Sequence, residues 1–285
     1  MIKNIALVTP LKDEITNIDK YIASIEKQTV KIKYLIIVEN DSTDGSKEYL
    51  EKISSVKNVE NFKVINMTFS DKSYDLGFKY SAIVTNGFDY LKTLADYNCL
   101  DFIGILDCDC FPEEEYYEKL INFFNTDAKI GIASGLVYTE EGILQMASKD
   151  FVRGNCRVWR KACLNETGFP NEPSPDSISV AMAHIKGWKT KTLKTAKAYA
   201  REVNTRMPNY KNQGKRIHYR GHSLFYAFLK FANMALLKGK PSIGYDMFSG
   251  YTSNLIKGEK RIQDKDVRRY YKFYVTNKLI QKFKG

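Results

Sequence analysis

No stretch of the chain reaches the roughly 18 consecutive apolar residues that a helix needs to cross a bilayer,. The start has no long apolar core followed by small residues, so no secretory leader is expected,. Cysteine is scarce. The five, at positions 99, 108, 110, 156 and 163, form no paired framework. An odd count without a leader points to the reducing cytosol. Cys108 and Cys110 have no second Cys/His pair near them in sequence, and read as small apolar packing residues rather than ligands of a soft metal,. The first apolar run is not followed by Gly-x-Gly-x-x-Gly, and Gly-x-x-x-x-Gly-Lys-Ser/Thr is absent throughout. Those absences exclude the usual Gly-rich phosphate cradles. A nucleotide bound here needs another counter-charge for its phosphates.

What is present is unevenly charged. Residues 201–285 hold 19 Lys/Arg against 5 Asp/Glu, a net of +14, whereas residues 1–200 hold 25 against 28. A near-neutral front and a basic tail have different jobs, and the tail implies an anionic partner. A length of 285 residues supports one large domain with an appendage,. We expect the division near residue 200.

Apolar runs at Ile5–Thr9, Tyr34–Val38, Phe62–Asn66 and Phe102–Leu106 read as strands, separated by helical patterns,. The order β-α-β-α-β-α-β predicts an α/β fold with a mostly parallel, doubly wound sheet. Each of these strands ends in polar residues, so one sheet edge collects Thr9, Glu39, Asn40, Asp107 and Asp109. Ligands of open α/β sheets bind at that edge. Asp107 and Asp109 come one residue apart at the end of the fourth run, before Pro112. Buried carboxylates are costly unless neutralised, and a close pair suits a hard divalent ion that also holds a diphosphate.

Three stretches carry a resemblance. Thr9-Pro10-Leu11-Lys12-Asp13-Glu14 resembles the Pro-x-x-Asn-Glu opening of family 2 glycosyltransferases. Val38-Glu39-Asn40-Asp41-Ser42-Thr43-Asp44-Gly45-Ser46 is similar to that family's Val-Asp-Asp-Gly-Ser-Thr-Asp-Gly-Ser turn. Leu106-Asp107-Cys108-Asp109 resembles its metal-binding Asp-x-Asp. The motifs occur in the family's order, each at an expected strand end. The resemblance covers about residues 1–200. It implies the GT-A fold, a UDP- or GDP-linked sugar donor, Mg²⁺ or Mn²⁺ on Asp107 and Asp109, and transfer with inversion to a glycan or lipid-linked acceptor. It places Thr9, Pro10, Glu14, Glu39 and Asn40 at the donor nucleotide and Lys79 near it. Thr43, Asp44 and Ser46 are also explained by helix capping.

Further on, residues 153–170 resemble the family's acceptor-side Gly, basic helix and Gly-Gly-Phe run. Asp176 stands where the family has an acid pair whose second member is the catalytic base, and only one acid of that pair remains. One carboxylate suffices to take a proton from an acceptor hydroxyl. Asp176 also begins an expected helix, Ser177–Lys186, and is expected as its N-cap. Glu172 is the reserve. His184 reads as a packed helix residue. Gly187–Leu193 resembles the closing strand.

In the tail, Arg216 and Arg220 are candidate phosphate clamps, and His218 or His222 could complete the metal shell. Ser223–Leu237 is apolar almost all round a helical wheel and too short to span a bilayer,. With its flanking lysines it fits either a helical bundle or peripheral docking of residues 222–285 on anionic membrane. The expected setting is the cytoplasm or the cytoplasmic membrane face, in cell-surface polysaccharide or glycolipid synthesis. Two rival readings are a nucleotidyltransferase, disfavoured by Pro10-Leu11-Lys12-Asp13 having no glycines, and a basic nucleic-acid-binding protein, disfavoured by the acidic front.

Overall fold

The computed structural model describes residues 3–70, 77–145, 152–201 and 209–276. Eight strands form one sheet in the order β3 (Val59–Met67), β2 (Ile32–Asn40), β1 (Ile5–Leu11), β4 (Phe102–Ile105), β7 (Val158–Arg160), β6 (Ile130–Tyr138), β8 (Lys189–Ala200), β5 (Cys110–Pro112). The β3-β2-β1-β4 half is parallel, as the alternating pattern predicts. β7 lies antiparallel to both β4 and β6, and β5 antiparallel to β8.

Central strands buried on both faces need apolar residues at successive positions, and Ile5–Val8 is such a run. Alternate side chains leave on opposite faces. Ile5 and Leu7 pack with α1 (Ile18–Glu26) and α4 (Tyr116–Thr126). Ala6 and Val8 pack with α3 (Phe78–Thr93), α5 (Lys161–Thr167) and α6 (Pro175–Ile185). Gly87 sets the approach of α3 to the sheet: a Cβ there would lie 2.4 Å from a Val8 methyl. The close approach carries the N-terminal turn of α3 to the edge where β4 ends. The turn after β2 leads into the short helix α2 (Ser46–Leu50).

Two strands were not expected. Residues 158–160 lie in the stretch anticipated as a basic helix, yet they form β7, and the helix α5 starts only at Lys161. Val158 and Trp159 are fully buried between β4 and β6, and filling that slot outweighs helical propensity,. β5 is three residues long and owes its conformation to pairing with β8.

The tail is helical: α7 (Tyr210–Tyr219), α8 (Leu224–Ala232) running into a π-turn (Asn233–Leu237), α9 (Pro241–Ile256) and α10 (Lys265–Lys272). Ile217, Ala227, Met247 and Tyr251 make its own small core. Ile262, Val267 and Tyr271 pack instead on Ile178 and Ala181 of α6, and the Tyr271 hydroxyl donates to the Ser177 carbonyl at 2.6 Å. Residues 277–285 of the expected membrane-facing tail lie outside the described residues. Among the described residues no helix is long and apolar enough to cross a membrane.

Candidate active site

The chain leaves β4 at Ile105 and turns at once. Asp107 N–H donates to Asn155 O at 2.9 Å, and Cys110 N–H to Asp107 O at 3.0 Å, closing a tight turn that feeds β5. Asp107 and Asp109 thus stand just past the strand end, as their spacing suggested. Cys108 and Cys110 are buried, as expected of packing residues. Burial, then Glu14, Asp109 and Asp107, push the Cys108 thiol up, so of this triplet only the two carboxylates suit a hard cation,.

Each aspartate has a partner that sequence reasoning missed. The Tyr80 hydroxyl, from the first turn of α3, donates to Asp107 Oδ1 at 3.0 Å. Burial, then the Asp107 and Asp176 carboxylates, push this phenol well above its ordinary range,. Tyr80 therefore stays a donor and feels both acids. The Arg201 guanidinium, just after β8, lies 2.6 Å from Glu14 Oε2 and 3.7 Å from Asp109 Oδ2. Glu14 and Asp109 are both almost fully buried. Arg201 so joins the first motif to the third across 187 residues.

The donor-side candidates Thr9, Pro10, Glu39 and Asn40 lie on the adjacent ends of β1 and β2, where Pro10 is opposite Val38 and Leu11 opposite Glu39. Thr9 is buried, and its hydroxyl shares a hydrogen bond with the Tyr21 hydroxyl. Glu39 accepts Ser42 N–H at 2.7 Å. Asn40 donates to Met67 O at 3.0 Å. The turn is laced to residues 13–15: Asp13 accepts Thr43 N–H, Ser46 Oγ accepts Glu14 N–H, and Asp44 accepts Ile15 N–H. Asp44 also accepts Ser46 N–H at 3.0 Å, but the N-cap of α2 is Gly45 and no side chain caps it, so the capping explanation for Thr43, Asp44 and Ser46 is corrected,. These side chains shape the turn.

Asp176 is the second residue of α6, whose N-cap is Ser174 at φ 67°. The expectation that Asp176 itself is the cap is thus corrected: Pro175, which lacks an N–H and suits N1, takes the first helical position, so the cap falls two residues earlier than expected,. Its side chain keeps 39% exposure beside a fully buried Arg157, whose nearest nitrogen is 3.5 Å from Asp176 Oδ1. Arg157 also donates to the carbonyls of Arg153, Val152 and Asp176 and to Ser179 Oγ, at 2.9–3.0 Å. Gly154 closes the other side: a Cβ there would sit 2.4 Å from Asp176 Oδ2. Because Asn155 carries the carbonyl that holds Asp107, residues 152–157 position both acids at once. The reserve candidate Glu172 accepts a hydrogen bond from Tyr219 of α7.

The remaining candidates separate. Lys79 is half-buried on the first turn of α3, one residue before Tyr80. Arg220 donates to Ser177 Oγ at 3.1 Å and lies over the Tyr271 ring, which puts it one residue along α6 from Asp176. Arg216 is one turn earlier on α7. His218 takes Arg261 Nε–H at 3.3 Å. His222 is stacked on Tyr226 at 4.0 Å and ringed by Tyr271 and Tyr274, so it packs with aromatic rings of the tail rather than with the aspartates. His184 packs as expected, with its ring nitrogens at 2.8 and 2.9 Å from the hydroxyls of Tyr270 and Thr190.

Among the described residues no group of three or more His, Cys, Asp or Glu side chains could hold a metal ion. The Asp107–Asp109 pair would have to serve as the protein's share of the donor set. Mg²⁺-like ions are bound this way, by one or two carboxylates with the other positions taken by water and substrate phosphates. The residues present fit such an ion.

Residues 6–82 match the profile of Glycosyl transferase family 2. Among solved structures, TarS 1–349 of S. aureus is similar at 14% identity with a TM-score of 0.52, over 89% of this chain and 72% of that one. The same TarS segment in complex with UDP-GlcNAc is similar at 14% identity and TM-score 0.53, over 90% and 73%. The mannosyltransferase PcManGT of Pyrobaculum calidifontis, in complex with GDP-Man and Mn²⁺, is similar at 12% identity and TM-score 0.52, over 89% and 74%. The first motifs thus match the family 2 profile by sequence, and the fold shared with these glycosyltransferase structures, the GT-A fold, extends over most of the chain.

Proposed function

We propose that the protein transfers a sugar from a nucleoside-diphosphate sugar to an acceptor hydroxyl with inversion. The observation that carries this reading is the arrangement around Tyr80. Its hydroxyl is tied to Asp107, and the exposed carboxylate of Asp176 is near enough to perturb it. One acid of the metal-type pair and a lone buttressed carboxylate thus both act on one hydroxyl. The donor class is supported by the relatives solved with UDP-GlcNAc and with GDP-Man.

Asp107 and Asp109 are the residues that would hold Mg²⁺ or Mn²⁺, and a bound cation supplies positive charge against the departing diphosphate. Thr9, Pro10, Glu14, Glu39, Asn40 and Lys79 border the nucleotide end of the site. Arg216 and Arg220 are the candidate phosphate clamps. Asp176 takes the proton of the acceptor hydroxyl as that oxygen bonds to the anomeric carbon. The bond from that carbon to the diphosphate breaks on the opposite face, and its electron pair leaves with the nucleotide. Arg157 and Gly154 keep Asp176 aimed, which is a condition for efficient proton transfer. We place the protein in the cytoplasm, acting on a glycan or lipid-linked acceptor of a cell-surface polysaccharide or glycolipid.

The test is release of nucleoside diphosphate from UDP- and GDP-sugars with divalent cation, offered against oligosaccharide and lipid-linked acceptors. One donor is expected to turn over. Asp176→Asn should lower turnover by about 10²–10⁴-fold while leaving donor affinity unchanged. Full turnover by that variant contradicts the base assignment. Absence of release from every donor contradicts the reaction.

A further inference from the structure

The described tail has a concavity that Asp107 and Asp109 do not line. It encloses about 540 Å³ between the α7–α8 link, the end of α9 and one face of α10. Five cationic residues line it: Arg261, Lys265, Arg268, Arg269 and Lys272. No carboxylate residue does. The nearest acids by sequence are Glu259, Asp264 and Asp266, and the Asp264 side chain is turned to capping α10 at 2.9 Å. His222, almost fully buried, lines the pocket, and its Nδ1 has no hydrogen-bond partner among the described residues. Such a cavity repels cations and rewards an anion with several acceptor oxygens.

The rim is apolar. Leu224, Leu255 and Phe273 line the same pocket and are each 40–47% exposed. The helix that begins at this rim carries Phe225 and Phe228 exposed, and ends in Leu236 and Leu237, each about four-fifths exposed. Ile256, beside Leu255, is 85% exposed. Lys230, Lys238, Lys240, Lys257 and Lys260 alternate with these side chains and are exposed too. A soluble phosphate compound would use the cations and leave the apolar residues in water. Monomeric proteins rarely leave such patches without a partner.

We infer that this pocket and its apolar rim are a docking surface for an anionic phospholipid membrane, with the pocket receiving a headgroup phosphate. Charge complementarity selects that occupant: the basic tail faces an anionic headgroup layer while Phe225, Phe228, Leu237 and Ile256 enter the acyl boundary. None of the five pocket cations belongs to the proposed transfer site, so the inference stands or falls separately from the reaction. It sharpens the expectation drawn from the tail's composition by naming the residues that meet the headgroup.

The test is co-sedimentation of the full chain with vesicles of phosphatidylcholine alone and of phosphatidylcholine with phosphatidylglycerol. Binding to the anionic vesicles is expected to exceed binding to neutral ones by more than about tenfold, and Lys265→Glu/Arg269→Glu should remove about as much. Lys272→Glu serves as a milder second variant, and melting curves confirm that both are folded. Phe225→Ser/Leu237→Ser should weaken binding while keeping the anionic preference. Equal binding to both vesicles, or charge-reversal variants that bind as well as wild type, overturns the inference. So does thermal stabilisation by inorganic phosphate through these residues without vesicle binding, which would mark a soluble phosphate ligand. Tighter binding to single-stranded nucleic acid than to vesicles also overturns it.

Discussion

Arg157 reaches Asp176 twice. Its guanidinium donates to the Asp176 carbonyl at 3.0 Å and stands 3.5 Å from the carboxylate. Arg157 is fully buried, and Asp176 is not. The buried partner is fixed by further bonds to Val152, Arg153 and Ser179, so the exposed one is held on a rigid base. This arrangement leaves Asp176 open to an acceptor while denying it freedom to swing away.

Arg157→Met should therefore be costly. The variant removes a buried cation and strands the carbonyls of Val152 and Arg153. Losing hydrogen bonds of charged groups in a buried place costs about 2–4 kcal/mol. Urea denaturation should show that loss as a lower midpoint with an unchanged slope. An unchanged midpoint would mean that the segment 152–157 is held by other contacts.

Gly154→Ala separates positioning from folding. The added methyl would lie 2.4 Å from Asp176 Oδ2 and displace the half-exposed carboxylate from its place beside Arg157. Turnover is expected to fall at least about tenfold, since small misplacements of a reacting group are expensive. Donor affinity and melting temperature should change little. Undiminished turnover in Gly154→Ala would show that Asp176 need not be held where it is.

The tail should be acid-sensitive. Burial, then the positive charges of Arg220 and Lys230, hold the His222 imidazole well below its ordinary value. Burial and Arg261 lower His218 in the same direction. A histidine with a depressed folded value contributes stability that is complete above its unfolded value, about 6.5, and is lost as the pH falls below it, because the unfolded chain then binds protons that the folded one refuses. The melting temperature should fall between pH 7.5 and about 5.5. His222→Phe, which keeps a ring against Tyr226, should make that fall shallower. An identical fall in the variant would assign the effect to other groups.

The legible parts of the fold were those with strong local signals. β1, β2 and β6 are long apolar runs, and their positions follow from hydrophobicity alone,. β5 and β7 have three residues each, and only their neighbours make them strands. The same division runs through the site. Asp107 and Asp109 were legible because two acids at the end of an apolar run need a reason. Asp176 was singled out only through the family pattern. Tyr80, Arg157 and Arg201 were not, because their roles arise from contacts with residues distant in sequence. A signal existed for Arg157, a lone cation in the otherwise apolar Cys156-Arg157-Val158-Trp159. His222 was drawn towards the metal by its residue type, whereas the aromatic rings of the tail claim it.

Asp107 and Asp109 are proposed to hold the diphosphate end of a nucleotide-sugar donor through a divalent cation. The most direct measurement is a thermal-shift panel of UDP-, GDP-, CMP- and dTDP-sugars, with and without Mn²⁺, on the wild type and on Asp107→Ala and Asp109→Ala. A ligand of the folded state raises the melting temperature by mass action, by about 2.7 kcal/mol of stability at a hundred times its Kd. The melting temperature is expected to rise with one nucleotide, in a way that depends on Mn²⁺ and is lost in both variants. A rise that persists without Mn²⁺ and in both variants would contradict it.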